Sequence, residues 1–208
     1  MAPTILITGF GAFPGAPVNP TETLVGHLVK AARQRGIRGI GHVFATRYAT
    51  VDRELPALIA RHRPDAILMF GLAARRRRLC IELCARNKTS MTAPDAGGAL
   101  PMRAMIAAGA PARMPGRAPF ADLLSAARAT RVKTRFSRDA GAYLCNYLYW
   151  RALEGAAKPR GPRLAVFVHV PNVRASARGS AVKGVPFTMD QLVHAGSAIL
   201  STLAAAAR

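Results

Sequence analysis

The chain has 208 residues, half of them apolar and few aromatic, which suits one soluble domain able to bury a full hydrophobic core. Its formal charge of +20 would draw polyanions at low salt, yet the excess is mostly arginine spread along the whole chain and reads as solvated surface. Three cysteines, an odd number, argue against a disulfide framework and fit a reducing compartment, and no apolar run is long enough to cross a bilayer.

The N-terminus carries no basic leader, and its apolar run from Thr4 to Thr8 is short, β-branched and stopped by Gly9. It predicts a buried first strand and not a signal peptide, and hence a cytoplasmic protein. Asn19-Pro20-Thr21-Glu22 opens a helix that runs to about Gly36, with Asn19 or Thr21 as cap and the proline tolerated in the first turn. A strand from about Gly41 to Thr46, a helix from about Thr50 to Arg61 and an apolar strand from Ala66 to Phe70, stopped at Gly71, follow. Leu79 to Arg86 alternates as a strand: Leu79, Ile81, Leu83 and Ala85 face one way, and Cys80, Glu82, Cys84 and Arg86 the other. Residues 88–118, rich in Gly, Pro and Met, predict long loops with short strands. A helix from Pro119 to Arg131 precedes a second one that Asp139-Ala140-Gly141 leads into and that runs to about Glu154. Leu164 to Val170 is another buried strand, and Thr188 to Ala207 closes the chain as an amphipathic helix. This alternation of strand and helix, without internal repeat or domain boundary, predicts a single α/β domain over residues 1–208.

Three residues invite a chemical reading. Cys145 shares a helical stripe with Leu148, Tyr149 and Ala152, as a core cysteine would, but it also lies near the first turn of its helix, where the macrodipole favours thiolate. His169 ends its strand just before Pro171, and ligand sites in open α/β sheets gather at the carboxyl ends of strands. His27, His42, His62 and His194 have no comparable setting and read as surface or packing residues. Glu82 is a lone charge in an apolar strand: either a solvated sheet face shared with Arg86, or the carboxylate that orients an imidazole in a Cys-His-acid set. Spacing alone does not choose between these. Cys80 and Cys84 have no matching Cys or His pair nearby, and a zinc site needs about four ligands, so no metal is predicted.

Four segments, in order along the chain, resemble the pyroglutamyl-peptidase I family. Ala140-Gly141-Ala142-Tyr143-Leu144-Cys145 is similar to the family's approach to its nucleophile, and Phe167-Val168-His169-Val170-Pro171 to its histidine segment. Ile81-Glu82, with Asn87 five residues after the glutamate, resembles the strand that carries the catalytic glutamate. Thr8-Gly9-Phe10-Gly11-Ala12-Phe13 followed by Asn19-Pro20 is similar to the N-terminal signature. The resemblance implies a single α/β domain with a central twisted, mostly parallel sheet and helices on both faces. It implies removal of pyroglutamyl residues from peptide N-termini without metal or organic cofactor, commonly by a homo-oligomer. Cys145 would be the nucleophile, His169 general base and then acid, and Glu82 the group that fixes the imidazole. Phe10 and Phe13 would hold the flat lactam ring between them, with Tyr143 and Leu144 lining the same pocket.

The trim around these residues departs from the family pattern. Leu72 follows Gly71 where many members carry glutamine, and Thr92 stands near where many bacterial members carry an arginine that helps stabilise the oxyanion. Loss of such a donor costs roughly 3–4 kcal/mol of transition-state stabilisation unless it is replaced. The run Arg75-Arg76-Arg77-Arg78, between the third strand and the Glu82 strand, reads as a solvated loop, as a site for an anionic group on an unusual substrate or phosphate-rich polymer, or as the source of a replacement, with at least one of its arginines reaching the active site. Two other readings stand beside the pyroglutamyl peptidase: a related amidase or peptidase with a different acyl preference, and a non-catalytic binding protein on the same fold. Nucleic acid is not expected as partner, since no helix-turn-helix signature and no basic stripe interleaved with aromatics is present.

Overall fold

A computed structural model describes residues 2–13, 15–173 and 187–208. The apolar, β-branched runs become the strands of one six-stranded sheet, and the amphipathic stretches between them become the covering helices. β1 (Thr4–Phe10), β2 (Arg38–Phe44), β3 (Ala66–Leu72) and β8 (Leu164–Val170) run parallel, and β4 (Leu79–Glu82) and β7 (Thr134–Ser137) extend the sheet beyond β8. The order is β2-β1-β3-β8-β4-β7, and only the β8–β4 pairing is antiparallel. β5 (Cys84–Arg86) and β6 (Arg113–Pro115) form a separate antiparallel pair.

The helices divide between the two faces. α1 (Pro20–Gln34), α3 (Phe120–Ala129) and α5 (Met189–Ala206) pack on Ile5, Ile7, Leu68, Phe70, Val166 and Val168. α2 (Tyr48–His62) and α4 (Leu144–Ala156) cover Leu6, Ile67, Met69, Ala165 and Phe167 on the other face. Adjacent residues of one strand thus belong to opposite cores, as the pleat requires.

The helix ends follow local chemistry. Asn19 caps α1 by accepting the amide of Thr21 at 3.1 Å, and Pro20 takes the first turn, where a missing N–H is harmless. Thr188 caps α5 in a reciprocal box with Gln191. The expected single strand from Leu79 to Arg86 is corrected to two, broken at Leu83. There the Leu83 amide still bonds Ser137 of β7 at 2.7 Å, but the Leu83 carbonyl accepts from Gly116 at 2.8 Å and turns the chain toward β6. β7 was not among the expected elements: its residues carry no apolar run, and pairing with β4 makes it a strand.

Candidate active site

The register of β8 against its two neighbours assembles the site. In the parallel pair β3–β8, Gly71 lies opposite His169. In the antiparallel pair β8–β4, Cys80 lies opposite His169 and Glu82 opposite Phe167, so Glu82 stands diagonally across from the histidine on the same face. Nδ1 of His169 meets Oε1 of Glu82 at 2.8 Å, with Glu82 fully buried and His169 nearly so. The solvated-face reading of Glu82 is thereby corrected.

Cys145 reaches the same corner from α4, one residue after the helix begins at Leu144. The residue is half-buried, and its Sγ presses on the backbone of Gly71; a Cβ placed on that glycine would lie 2.5 Å from the sulfur and 2.7 Å from Cζ of Phe167. Gly71 therefore permits a contact that any side chain would block. Gly71 is the register partner of His169, so the sulfur lies against the strand beside the one that carries the imidazole.

The segment that delivers Cys145 is held at several places. Gly141 takes a positive φ of 86°, and its amide donates to Oδ1 of Asp139 at 3.0 Å, closing the turn before α4. Asn146 is fully buried; its Oδ1 accepts the Arg86 amide at 2.8 Å and its Nδ2 donates to the carbonyls of Arg86 and Lys88 at 2.7 and 3.0 Å. The start of α4 is so bound to β5. Tyr149, one turn on, donates its hydroxyl to the Glu82 carbonyl at 2.9 Å. Reading the sequence did not single out Asn146 or Tyr149 for these tasks, although an amide inside an otherwise apolar helix was a usable signal.

Electrostatics oppose a free thiolate. Burial pushes the Cys145 thiol up to about 12 and the Glu82 charge adds to the rise, while the Arg76 guanidinium and the residue's own amide act against it. Burial also works to raise the Glu82 carboxyl, but the hydrogen bond and charge of His169, with smaller contributions from the Ser137 hydroxyl and then the Arg76 charge, hold it below the ordinary carboxylate range.

Arg76 does reach the site, but its target differs from the one expected. Its Nη1 donates to Oε1 of Glu82 at 2.6 Å and its Nη2 to the Asp139 carbonyl at 2.6 Å. Arg75, Arg77 and Arg78 are exposed. Thr92 is exposed as well, and Leu72 is buried at the end of β3.

The residues expected to hold the acyl group fall into two pairs. Phe13 and Tyr143 are partly exposed, with ring centroids 6.2 Å apart, and Tyr143 donates its hydroxyl to the Pro94 carbonyl at 2.9 Å. Phe10 and Leu144 are buried in the α2/α4 core, Phe10 against Phe44 at 6.1 Å. Among the described residues, no three His, Cys, Asp or Glu side chains gather as a metal site requires.

A family model described as pyroglutamyl peptidase matches residues 3–206. The chain is 31% identical to pyrrolidone-carboxylate peptidase 1 of Ralstonia nicotianae, over 93% of this chain and 89% of that protein. It is also 31% identical to the pyrrolidone-carboxylate peptidase of Clavibacter michiganensis, over 97% and 93% respectively. Among solved structures, pyroglutamyl peptidase I of Bacillus amyloliquefaciens shares the fold, with a TM-score of 0.86 over 98% of this chain and 97% of that one at 24% identity.

Proposed function

The chain belongs to the pyroglutamyl peptidase family of cysteine-type peptidases, and from that premise we propose that it removes pyroglutamyl residues from peptide N-termini with Cys145, His169 and Glu82 as its catalytic residues. The observation that carries the reading is the buried 2.8 Å bond between His169 and Glu82, formed where the Cys145 sulfur lies against the register partner of that histidine. Glu82 accepts a hydrogen bond from the Nδ1–H of His169, which leaves Nε2 as the basic nitrogen. A thiol raised by burial rests protonated, so the nucleophile forms as His169 takes the Cys145 proton and the sulfur attacks the pyroglutamyl carbonyl carbon. The tetrahedral oxyanion lies against backbone amides at the start of α4, which have no carbonyl partner one turn back. Collapse breaks the C–N bond, and His169 returns its proton to the departing peptide amine. Water, deprotonated by His169, then attacks the thioester; pyroglutamic acid leaves and the thiol is restored.

Phe13 and Tyr143 offer aromatic faces to the lactam, and Phe10 and Leu144 back them from the core. No helix among the described residues is long and apolar enough to cross a membrane, and the three cysteines are free, so a reducing, cytoplasmic setting goes with this reading. The substrate is a peptide with a blocked N-terminus. The active protein is a homo-oligomer, for which exposed apolar side chains such as Val18 and Met102 offer surface; sedimentation checks this. The central test is release of a chromophore from a pyroglutamyl amide. Wild-type protein should turn over and lose activity with iodoacetamide, and Cys145→Ala should be inert. Activity in that variant, or loss of activity only on Cys80→Ser, would overturn the assignment.

A further inference from the structure

We propose that Arg76 is a positioning residue for the proposed reaction: it fixes the Glu82 carboxylate against His169 and ties that carboxylate to the segment that delivers Cys145. The inference rests on the assignment of Glu82 and His169 given above. Glu82 is fully buried, and both donors it receives through its carboxylate meet one oxygen: His169 at 2.8 Å and Arg76 at 2.6 Å on Oε1. Oε2 has no hydrogen-bond partner among the described residues. A carboxylate in that position is expensive to desolvate without a counter-charge. Arg76 gives a permanent one, because guanidinium stays protonated at every working pH.

The fork of Arg76 is also committed in direction. Nη1 holds Glu82 on β4 and Nη2 holds the Asp139 carbonyl, six residues before Cys145. The carboxylate of the same Asp139 accepts Arg86 Nη1 at 2.8 Å and the Gly141 amide at 3.0 Å. The turn bearing Arg76 is itself closed by its amide on the Ala73 carbonyl at 2.8 Å. One side chain thus spans the end of β3, the acid of β4 and the lead-in to α4, which fixes the distance between orienting acid and nucleophile. Both terminal nitrogens are engaged in this way, which aims the fork at the acid and at the lead-in to α4.

The groups that face Glu82 are His169 from β8, Ser137 from β7, Arg76 from the turn after β3, Cys145 and Tyr149 from α4, and Cys84 from β5. Arg76 supplies the fixed positive charge of this set, and it favours both the ionised carboxylate and the thiolate. Its removal should therefore do more than loosen a loop.

The test is the pH profile of kcat and KM on a pyroglutamyl amide for Arg76→Gln and Arg76→Lys, with Arg75→Gln and Arg77→Gln as exposed controls. Arg76→Gln should lower kcat roughly 10- to 100-fold with KM within about two-fold, and move the acid limb of kcat/KM to higher pH. Arg76→Lys keeps the charge without the fork; it should return the acid limb toward its wild-type position while kcat stays reduced. The controls should match wild type. If Arg76→Gln or Arg76→Lys folds with a lower melting temperature but keeps the wild-type kcat and acid limb, Arg76 is only a structural tie and the inference fails. Should Arg76→Gln not fold, wild-type kinetics in Arg76→Lys would sink the inference by itself. Activity in Cys145→Ala would instead sink the assignment on which this inference stands, so the two failures are distinguishable.

Discussion

Along β8, Val166, Val168 and Val170 turn into the layer made by α1, α3 and α5, while Phe167 turns toward α4 and His169 lies beside it at 4.9 Å between ring centroids. β4 divides in the same way: Leu79 and Ile81 join the first layer, and Cys80 and Glu82 share the other face with His169 and Phe167. One pleat supplies both faces, yet they are governed by different terms. The first holds together by apolar burial, which is non-directional and tolerates swaps of similar volume. The second buries a carboxylate and an imidazole, and each must find a partner in a fixed direction or be unstable in its charged form. Hence the second face draws in Arg76 from the turn after β3 and Asn146 and Tyr149 from α4, and the first needs nothing beyond its own hydrophobic pattern.

Truncations on the two faces should separate kinetics from stability. Cys145→Ala should reduce turnover of a pyroglutamyl amide by roughly 10⁴-fold or more, with urea-unfolding stability close to wild type because only a small cavity is left. Retained turnover would break the comparison at its root. Gly71→Ala should hurt both properties, since the added Cβ would lie 2.5 Å from the Cys145 sulfur and 2.7 Å from Phe167. A displaced nucleophile predicts a fall in kcat on the order of 100-fold, and overpacking a destabilisation of about 1–3 kcal/mol. A Gly71→Ala protein with normal kcat would mean the sulfur works from another position. Val168→Ala is the converse case: about 2 kcal/mol lost from a site that is fully buried in the aliphatic layer, with kcat and KM unchanged.

The same contrast explains which parts of the molecule were legible in the sequence. β8 spans Leu164–Val170, the range its apolar run predicts, and α5 lies within a residue of its expected ends because Thr188 signals its own cap. Both are local signals. The break at Leu83 was not visible, because apolar residues continue to alternate through it from Leu79 to Ala85 while the two halves join different sheets. β7 was missed for a related reason: Thr134–Ser137 shows no apolar run, and Arg135 and Phe136 on it are exposed. His169 at its strand end and Glu82 as a lone charge were each visible locally, but only the family resemblance joined them, since 87 positions separate them and the antiparallel β8–β4 register brings them together. Nothing in four consecutive arginines distinguishes Arg76 from its neighbours; the turn that closes on Ala73 does so.

A smaller effect sharpens the comparison from the side of acid stability. In the native protein the Glu82 carboxyl lies below the ordinary range, its burial outweighed by His169, Ser137 and Arg76. In the unfolded chain it returns to about 4.3. Between those two values the unfolded state binds the proton and the native state does not, so stability rises with pH there. The contribution of Glu82 is therefore fully present above the unfolded value and is lost as pH falls through the native one. Glu82→Gln removes this group and keeps its shape, so the stability gap between wild type and variant should be widest near neutrality and should close as pH drops. Asp139 and Glu54 are also held low against burial, by Arg86 and by Arg53 with His42, but they are present in both proteins and cancel in the difference. Melting temperatures from pH 7 down to pH 3 give the result directly. Parallel curves over that range would mean that Glu82 titrates alike in the folded and unfolded chain, and that burial beside His169 and Arg76 does not set the electrostatics of this face.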